Sequence, residues 1–216
     1  IACNDADAMV TGNIRHYAAS IEKLKKVVDA RPGEEIFGMT MLVSKGKTIL
    51  IADTNVKDFP SDERLVNVSI SCVRVAKLFG FDPKVAFLSH STFGKPVSKN
   101  TKHVRDAIEL LKTKNVDFDF DGEMQPDVAL NPIYQEIYPF SKIVGKANIL
   151  IMPALHSAAI STKLMKSFGG AKSIGPLLIG LGLPIEVAPL RSSTSDILNL
   201  ASIAAYSSDV IDYKKN

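Results

Sequence analysis

The sequence has few of the residues on which several common kinds of site depend. It contains two cysteines, Cys3 and Cys72, and four histidines, in no metal-ligand or redox spacing. The net charge of +3 is small, and charges of both signs are interspersed rather than clustered into a basic face. No apolar run reaches the roughly 20 residues of a membrane span, and no signal peptide opens the chain. We therefore expect no metal site, no nucleic-acid or membrane partner, and a reducing, cytoplasmic location.

What the sequence does contain is an alternation of short β-branched runs with longer segments of helical period. The predicted helices are 16–29, 61–79, 101–114, 158–168 and 194–206, and the predicted strands are 36–43, 48–52, 84–89, 117–123, 148–153, 175–179 and 184–188. The Gly-containing link Ser44–Lys47 predicts a hairpin between the first two strands. Helices separate most of the other strands. The order indicates an α/β fold whose mixed sheet is covered by helices on both faces.

Three loops are candidates for a ligand site, because such sheets bind ligands where strands end. They are Ser89–Gly94, Pro153–Ser157 and Ala188–Ser193, and each contains at least one short hydroxyl side chain. Loops with small polar side chains hold phosphates and amides well, but such side chains are also common in loops that bind nothing. From these residues alone both interpretations stay open. His90 and His156, which lie in two of the loops, are interpreted as ordinary loop histidines.

Four segments carry a resemblance to a known family. Lys84–Thr92 ends in Ser-His-Ser-Thr, Asp121–Gln125 reads Asp-Gly-Glu-Met-Gln, Gly145–Ile151 reads Gly-Lys-Ala-Asn-Ile-Leu-Ile, and Gly175–Leu181 reads Gly-Pro-Leu-Leu-Ile-Gly-Leu. In order and spacing these segments resemble the phosphate acetyltransferases of the phosphate acetyl/butyryltransferase family. The resemblance implies a two-lobed, three-layer α/β sandwich, similar to isocitrate and isopropylmalate dehydrogenases. Residues 1–24 and 176–216 would form part of a first lobe that is incomplete at its N-terminal side. Residues 25–175 would form the inserted second lobe.

The end of the last predicted strand departs from that family. Active members have Ser-Arg-Gly-Cys-Ser-x-x-Asp, whereas this chain has Pro189 and Leu190 in place of the Ser-Arg pair and keeps the aspartate as Asp196. Attack of the CoA thiol on acetyl phosphate needs a base and fixed positive charge. Losing one such electrostatic group typically costs about 10²–10³ in rate. We therefore expect no catalytic residue here, and no acyltransferase activity from this chain alone.

A second departure from the family's sequence indicates a particular group of its relatives. The family's Pro-Asp-Leu-Glu-Ala-Gly-Asn-Ile stretch appears as Pro153–Ile160, without its two carboxylates and its asparagine. With Ala129–Pro132 and Tyr138–Phe140, this pattern resembles the C-terminal domain of large bacterial NADP-dependent malic enzymes. The resemblance implies a regulatory domain that senses acetyl-CoA. The parent enzyme would decarboxylate malate oxidatively to pyruvate, with NADP and a divalent metal held by its upstream domains. No cofactor is expected in this chain, whose partners would be those domains.

The resemblance also implies the residues that would bind acyl-CoA or phosphate. These are Ser89, Ser91, Thr92, Ser157, Arg191, Ser193 and Asp196. Ser193-x-x-Asp196 also fits a reciprocal capping box at the start of the last helix, which is compatible with a ligand role. Two other functions stay open. The chain could be an active phosphate acetyltransferase, or a dimerisation module that binds no small molecule.

A homodimer is expected from the first predicted strand. Phe37, Met39 and Met41 alternate there with Ile36, Gly38 and Thr40, so that both faces of the strand are at least partly apolar. Closed two-fold pairing is the commonest way to cover apolar surface that one protomer leaves exposed. The alternative is that helices of the same chain cover both faces.

Overall fold

The computed structural model describes residues 1–3, 5–52, 59–96 and 101–211. Strands and helices alternate along most of this part of the chain. In order they are β1 (Met9–Gly12), α1 (Tyr17–Leu24), β2 (Phe37–Ser44), β3 (Lys47–Ala52), α2 (Asp62–Leu78), β4 (Lys84–Leu88), α3 (Lys102–Lys112), β5 (Asp119–Met124), α4 (Pro126–Leu130), a 3₁₀ helix (Pro132–Glu136), β6 (Ile149–Ile151), α5 (Leu155–Ser167), β7 (Lys172–Ile179), β8 (Ile185–Ala188) and α6 (Thr194–Val210).

Six of the strands form one mixed sheet in the order β5-β4-β6-β3-β2-β7. The pairs β5–β4, β4–β6 and β6–β3 are parallel, whereas β2 is antiparallel to both β3 and β7. The predicted hairpin is confirmed: Lys45 and Gly46 both have positive φ, +50° and +72°, as a two-residue turn of type I′ requires. The remaining strands, β1 and β8, pair in parallel as a small second sheet. The predicted mixed α/β sheet is therefore confirmed.

Two cores cover the two faces of the large sheet. Phe37 and Met39 of β2 lie in a core that α2 and α3 complete, and Leu42 of the same strand lies in the opposite core with Ala158 of α5. This follows from the period of two along a strand. All three β2 side chains are almost fully buried by the same chain. Strand β2 therefore gives no reason to expect a partner, and the homodimer stays a prediction that needs other support.

Helix α2 follows from local signals alone. The Ser61 hydroxyl accepts a hydrogen bond from the backbone N–H of Arg64 at 3.3 Å, as an N-cap does. Gly80, with φ at +78°, follows the helix end in the conformation that glycine adopts most easily. The apolar residues Leu65, Val68, Cys72, Val75 and Ala76 of α2 recur at spacings of three and four, and all are buried. Burial raises the pKa of the Cys72 thiol to about 12, so that thiol is an inert part of the core.

Some boundaries differ from the prediction. Helix α1 ends at Leu24, and turns replace the predicted last helical residues up to 29. Helix α5 begins three residues earlier than expected, at Leu155, directly after β6 and Pro153. Strand β1 and the short helices after β5 were not predicted, because segments of four or five residues show too little periodicity. No helix within the described ranges is long and apolar enough to cross a membrane.

Helix α6 links the small sheet to the rest of the molecule. It packs on β1, β7 and β8, and its Leu200 lies in the same core as Phe37. Strand β7 pairs with β2 as far as Ile179, so the larger sheet extends past the predicted lobe boundary after residue 175. The division of the chain into two lobes stays a prediction.

Candidate functional site

A cavity of about 570 Å³ lies where the neighbouring parallel strands β4 and β6 end. The described residues that line it are Phe59, Pro60, Ser89, His90, Thr101, His103, Pro153, Ala154, His156 and Ser157. Two of the three predicted loops therefore meet at one cavity, as adjacent parallel strands require. This lining contains three histidines and, among its described members, no Asp, Glu, Lys or Arg.

The three histidines come from different elements. The Nε2 atom of His103, on α3, lies 3.1 Å from the carbonyl oxygen of Pro153. The His156 ring packs against Phe59, with 5.8 Å between ring centroids, and His90 is exposed. The sequence predicted His90 and His156 as loop histidines, but it did not predict that His103 lies at the same cavity. Across the described ranges, no group of three His, Cys, Asp or Glu side chains could hold a metal ion.

Among the described residues, two helices begin at this cavity with no hydrogen bond from an N-cap side chain. Thr101 precedes α3 and Ala154 precedes α5, and neither helix has an acidic residue in its first turn. By contrast α2 and α6 are capped by Ser61 and Ser193 and carry acidic residues in their first turns. The backbone N–H groups of a first turn carry partial positive charge. This edge of the cavity therefore favours an anionic group.

A buried network lies behind the loop after β4. The fully buried Ser91 hydroxyl donates to Glu123 Oε1 at 2.5 Å, and the backbone N–H of Gly94 donates to the same oxygen at 3.3 Å. Arg105 Nη1 lies 3.1 and 3.2 Å from the two carboxylate oxygens. Glu123 is 1% exposed, so its charge is neutralised and hydrogen-bonded within the protein. The network holds the loop after β4 against the end of β5.

This network determines what Ser89 can offer a ligand. The Ser89 and Ser91 hydroxyl oxygens are 3.2 Å apart. A serine hydroxyl has one hydrogen, and that of Ser91 goes to Glu123. Ser89 is therefore the donor to Ser91, and it presents only a lone pair to the cavity. In this arrangement it can accept a hydrogen bond from a ligand N–H or O–H.

The other predicted residues of this loop do not line the cavity. Ser91 is fully buried behind Ser89, and the buried Thr92 accepts a hydrogen bond from the backbone N–H of Gln125 at 3.2 Å. Both side chains shape the loop. In the second loop, Ser157 does line the cavity. Of the first two loops, the predicted binding residues at the cavity wall are therefore Ser89 and Ser157.

The third predicted loop, after β8, lies outside this lining. Leu190 is 47% exposed, and Arg191 has a left-handed backbone with φ at +61°. The loop is tied to the residue after β1: the backbone N–H groups of Arg191 and Ser192 donate to the Asn13 backbone and side-chain oxygens at 3.3 and 2.9 Å. None of Arg191, Ser193 and Asp196 lines the cavity between β4 and β6.

The capping interpretation of Asp196 is confirmed. Its carboxylate accepts from the backbone N–H of Ser193 at 2.9 Å, and its own N–H donates to the Ser193 hydroxyl oxygen at 3.2 Å. The side-chain hydrogen bond from Ser193 lowers the pKa of Asp196 most, and the backbone bond from Ser193 adds to it. The carboxylate is thus occupied in stabilising α6. A ligand role for Asp196 stays a prediction.

Glu123, Arg105 and His103 were not among the predicted site residues. Glu123 lies in the Asp-Gly-Glu-Met-Gln segment, and a carboxylate inside a predicted strand was a signal that it needs a partner. A steric constraint explains why the neighbouring residue is a glycine. The φ of Gly122 is +149°, and a Cβ atom there would lie 2.6 Å from the Phe87 carbonyl oxygen. Only contacts across the fold could identify Arg105 as the partner, 18 residues away.

A second buried carboxyl group lies away from the cavity. Glu186 of β8 accepts a hydrogen bond from the backbone N–H of Leu178 at 2.9 Å. Burial raises its pKa to about 8. The hydroxyl of the nearby, partly buried Tyr17 is also buried, and that burial, followed by the charge of Glu186, raises the pKa of its phenol. These groups belong to the packing of the small sheet, not to the cavity.

Comparison with known proteins defines the family. Residues 1–205 match the family described as "Phosphate acetyl/butaryl transferase". This match covers nearly the whole sequence, so the chain belongs to the phosphate acetyl/butyryltransferase family. A phosphotransacetylase from Streptococcus pyogenes has the same fold, with a TM-score of 0.90 and 31% identity, over 96% of this chain and 64% of that one. The predicted fold family is confirmed.

Two individual relatives show which kinds of enzyme contain a similar sequence. The NADP-dependent malic enzyme of Rhizobium meliloti (strain 1021) is 44% identical over 206 residues, which are 95% of this chain and 27% of that enzyme. The phosphate acetyltransferase of Bacillus subtilis (strain 168) is 30% identical over 93% of this chain and 62% of that enzyme. This chain therefore spans about a quarter of the malic enzyme that it matches, corresponding to its C-terminal part.

Proposed function

We propose that this chain is the C-terminal regulatory domain of an NADP-dependent malic enzyme, and that it binds acetyl-CoA without transferring its acyl group. The observation that carries the proposal is the end of β8. Pro189 and Leu190 stand there where active phosphate acetyltransferases have the Ser-Arg pair. The similarity to the malic enzyme of Rhizobium meliloti supports the choice of parent protein.

A further feature supports the loss of transferase chemistry. Among its described residues the cavity has no lysine or arginine to stabilise a departing phosphate. An imidazole of the cavity can accept a proton from a thiol, but it does not replace the fixed charge that phosphate departure requires.

Binding needs less than catalysis, and the cavity supports it. Its volume of about 570 Å³ lies within the usual range of small-molecule sites. The uncapped starts of α3 and α5 attract phosphate groups, and Ser157 lies in the first turn of α5. The Ser89 lone pair suits an amide N–H. An acyl-CoA carries both phosphates and amides.

A domain that binds without turnover can use the binding energy to bias a conformational equilibrium. A coupling of about 1–3 kcal/mol to the malate site would change affinity by roughly 5–150-fold. In this proposal NADP and the divalent metal are bound by upstream domains of the parent, and acetyl-CoA acts as effector. By linkage, malate or NADP changes acetyl-CoA affinity by the same factor as acetyl-CoA changes theirs.

Calorimetric titration with acetyl-CoA, on this chain and on the parent enzyme, tests the proposal. We expect binding to both. Ser157→Ala should weaken binding about fivefold, the equivalent of about 1 kcal/mol for one hydrogen bond. Ser202→Ala, which changes an exposed serine of α6 far along the chain from the cavity residues, is the matched control and should bind like the wild type. Absence of binding to either protein would favour a purely structural module.

A coupled assay with acetyl phosphate and CoA tests the loss of transferase activity. We expect no turnover, also for the double variant Pro189→Ser with Leu190→Arg, because the loop after β6 has lost the family's carboxylates as well. Turnover near a typical 10 s⁻¹ by the unmodified chain would instead identify an active phosphate acetyltransferase.

A further inference from the structure

Two lysines approach each other at the edge of the large sheet opposite the cavity. Lys47 is the first residue of β3, and Lys146 lies three residues before the start of β6. Strands β3 and β6 are parallel neighbours, and Leu50 pairs with Ile149, so each lysine stands three residues before a paired position. Both lysines are exposed. The edge at which the parallel strands begin therefore brings two basic side chains together.

The contact between these side chains requires that one of them gives up a proton. The amino groups of Lys47 and Lys146 are close enough for a hydrogen bond. A lysine ammonium group has three donors and no acceptor, so this bond needs one neutral amine. The hydrogen bond with Lys47, followed by the repulsion of the Lys47 charge, lowers the pKa of Lys146. Lys146 is therefore the group that loses its proton more easily.

Two lysines elsewhere on the surface have the more usual arrangement. The Nζ atoms of Lys102 and Lys112 lie 2.6 and 2.7 Å from the carboxylates of Asp106 and Glu109. Within the ranges that the structure describes, no carboxylate forms an ion pair with Lys146 or with Lys47. An opposite charge favours the charged form of a group, whereas a like charge favours the neutral form.

Other basic groups surround the pair. Lys45 is exposed in the turn that precedes β3, and the Nζ atom of Lys84, on β4, donates to a backbone carbonyl oxygen in the segment before Lys146 at 2.6 Å. Asp82 precedes β4, and Asp119 begins β5, the strand beyond β4. Positive charge of this kind raises the local concentration of an anionic reagent.

We propose that Lys146 is a site of acylation by activated acyl donors, either acyl phosphates or acyl-CoA thioesters, and that Lys47 activates it. The neutral Nζ atom of Lys146 attacks the acyl carbonyl carbon and forms an amide bond. The bond from that carbon to the phosphate oxygen, or to the thioester sulfur, breaks as the amide forms. The phosphate or thiolate leaves with the bonding electron pair, and the attacking amine releases one proton to solvent. Lys47 keeps its charge, which attracts the phosphate groups of the donor.

The fold can accommodate this modification. Acylation removes one positive charge, so it ends the repulsion between the two lysines. Among the described residues it breaks no ion pair of Lys146. The inference does not depend on whether the cavity binds acetyl-CoA, because the cavity lies at the opposite edge of the sheet, where β4 and β6 end.

Treatment of the folded chain with isotope-labelled acetyl phosphate at neutral pH, followed by peptide mass spectrometry, tests the proposal. Digestion with a protease that does not cleave at lysine keeps the peptides comparable. Lys146 should react about fivefold faster than Lys102, because a unit charge about 4 Å away in water shifts a proton equilibrium by about that factor. In urea, where the strands no longer hold the two lysines together, this preference should disappear. Acetyl-CoA in place of acetyl phosphate shows which class of donor reacts.

Two variants test the role of Lys47. Lys47→Met removes the charge and keeps the length of the side chain, so the rate at Lys146 should fall to that at Lys102. Lys172→Met is the matched control and should leave the rate at Lys146 unchanged. Lys172 is also exposed and also begins a strand, β7, but β2 and β3 separate that strand from β6. Circular dichroism establishes that each variant is folded.

Several outcomes would overturn the proposal. One is a rate at Lys146 that does not exceed the rate at Lys102 with either donor. Others are a preference for Lys146 that persists in urea, that Lys47→Met leaves unchanged, or that Lys172→Met removes as well. Faster acylation of Lys47 than of Lys146 would overturn the assignment of the two roles.

Discussion

Replacing Glu123 with alanine should lower the free energy of unfolding more than replacing an exposed carboxylate with alanine would. The change removes the acceptor of the Ser91 hydroxyl and of the Gly94 N–H, and it leaves Arg105 without its buried partner. The Oε1 atom of Glu123 holds the loop after β4, which forms one wall of the cavity. Loss of the carboxylate also frees the Ser91 hydrogen, so Ser89 no longer has to donate to Ser91.

The expected magnitude follows from the exposure of the two partners. Removing one member of a buried ion pair typically costs about 3–5 kcal/mol, because the other charge is left unpaired. The Arg105 side chain is 35% exposed and can turn towards water, whereas Glu123 is fully buried. We therefore expect about 3 kcal/mol, the lower end of that range. For a chain of this size this corresponds to a fall in Tm of roughly 6–12 °C.

Urea unfolding and thermal melting of three variants measure the effect. Glu123→Gln keeps the side-chain volume and one acceptor oxygen, so this variant should lose less free energy of unfolding, about 1–2 kcal/mol. Glu109→Ala is the control with the same chemical change; the Glu109 side chain is 71% exposed and pairs with Lys112 at 2.7 Å. It should cost less than about 1 kcal/mol. If Glu123→Ala were as stable as this control, the buried network would not stabilise the loop.

Two further predictions concern other carboxylates. Glu186 has its pKa raised by burial from 4.5 to about 8, so the folded chain keeps a proton that the unfolded chain loses, and stability should fall by about 1.4 kcal/mol per pH unit within that window. Glu186→Gln should remove this slope and stabilise the chain at pH 8, as urea unfolding at pH 5 and pH 8 would detect. Ser193→Ala should cost about 1 kcal/mol at pH 7 through loss of the cap. Because hydrogen bonds from Ser193 lower the pKa of Asp196, that cost should shrink as the pH falls through this lowered pKa, and an equal cost once Asp196 is protonated would contradict the hydrogen bond from the Ser193 hydroxyl to the Asp196 carboxylate.

The sequence by itself determined the features that depend on neighbouring residues. Helix α2 could be predicted with its cap and its buried stripe, because Ser61, Gly80 and the apolar spacing act within a few residues of one another. The hairpin between β2 and β3 follows in the same way from the turn at Lys45 and Gly46. The meeting of the loops after β4 and β6 needed only the general rule for parallel strands. Family membership followed from the order of short motifs.

Tertiary structure alone decided what those side chains do. Ser91 and Thr92 were expected to contact a ligand, which stays a prediction; the fold shows that their hydroxyls bond to Glu123 and to the backbone of Gln125, more than 30 positions away. The apolar residues of β2 were expected to indicate a partner, but helices from distant parts of the chain cover both strand faces. The exposure of Ile160 and Leu164 on α5, 64% and 62%, could not be recognised, because periodicity shows that a helix has an apolar side but not which way that side turns. Burial, and the pairing of a charge or a hydroxyl hydrogen, depend on residues that only the folded chain brings within a few ångströms.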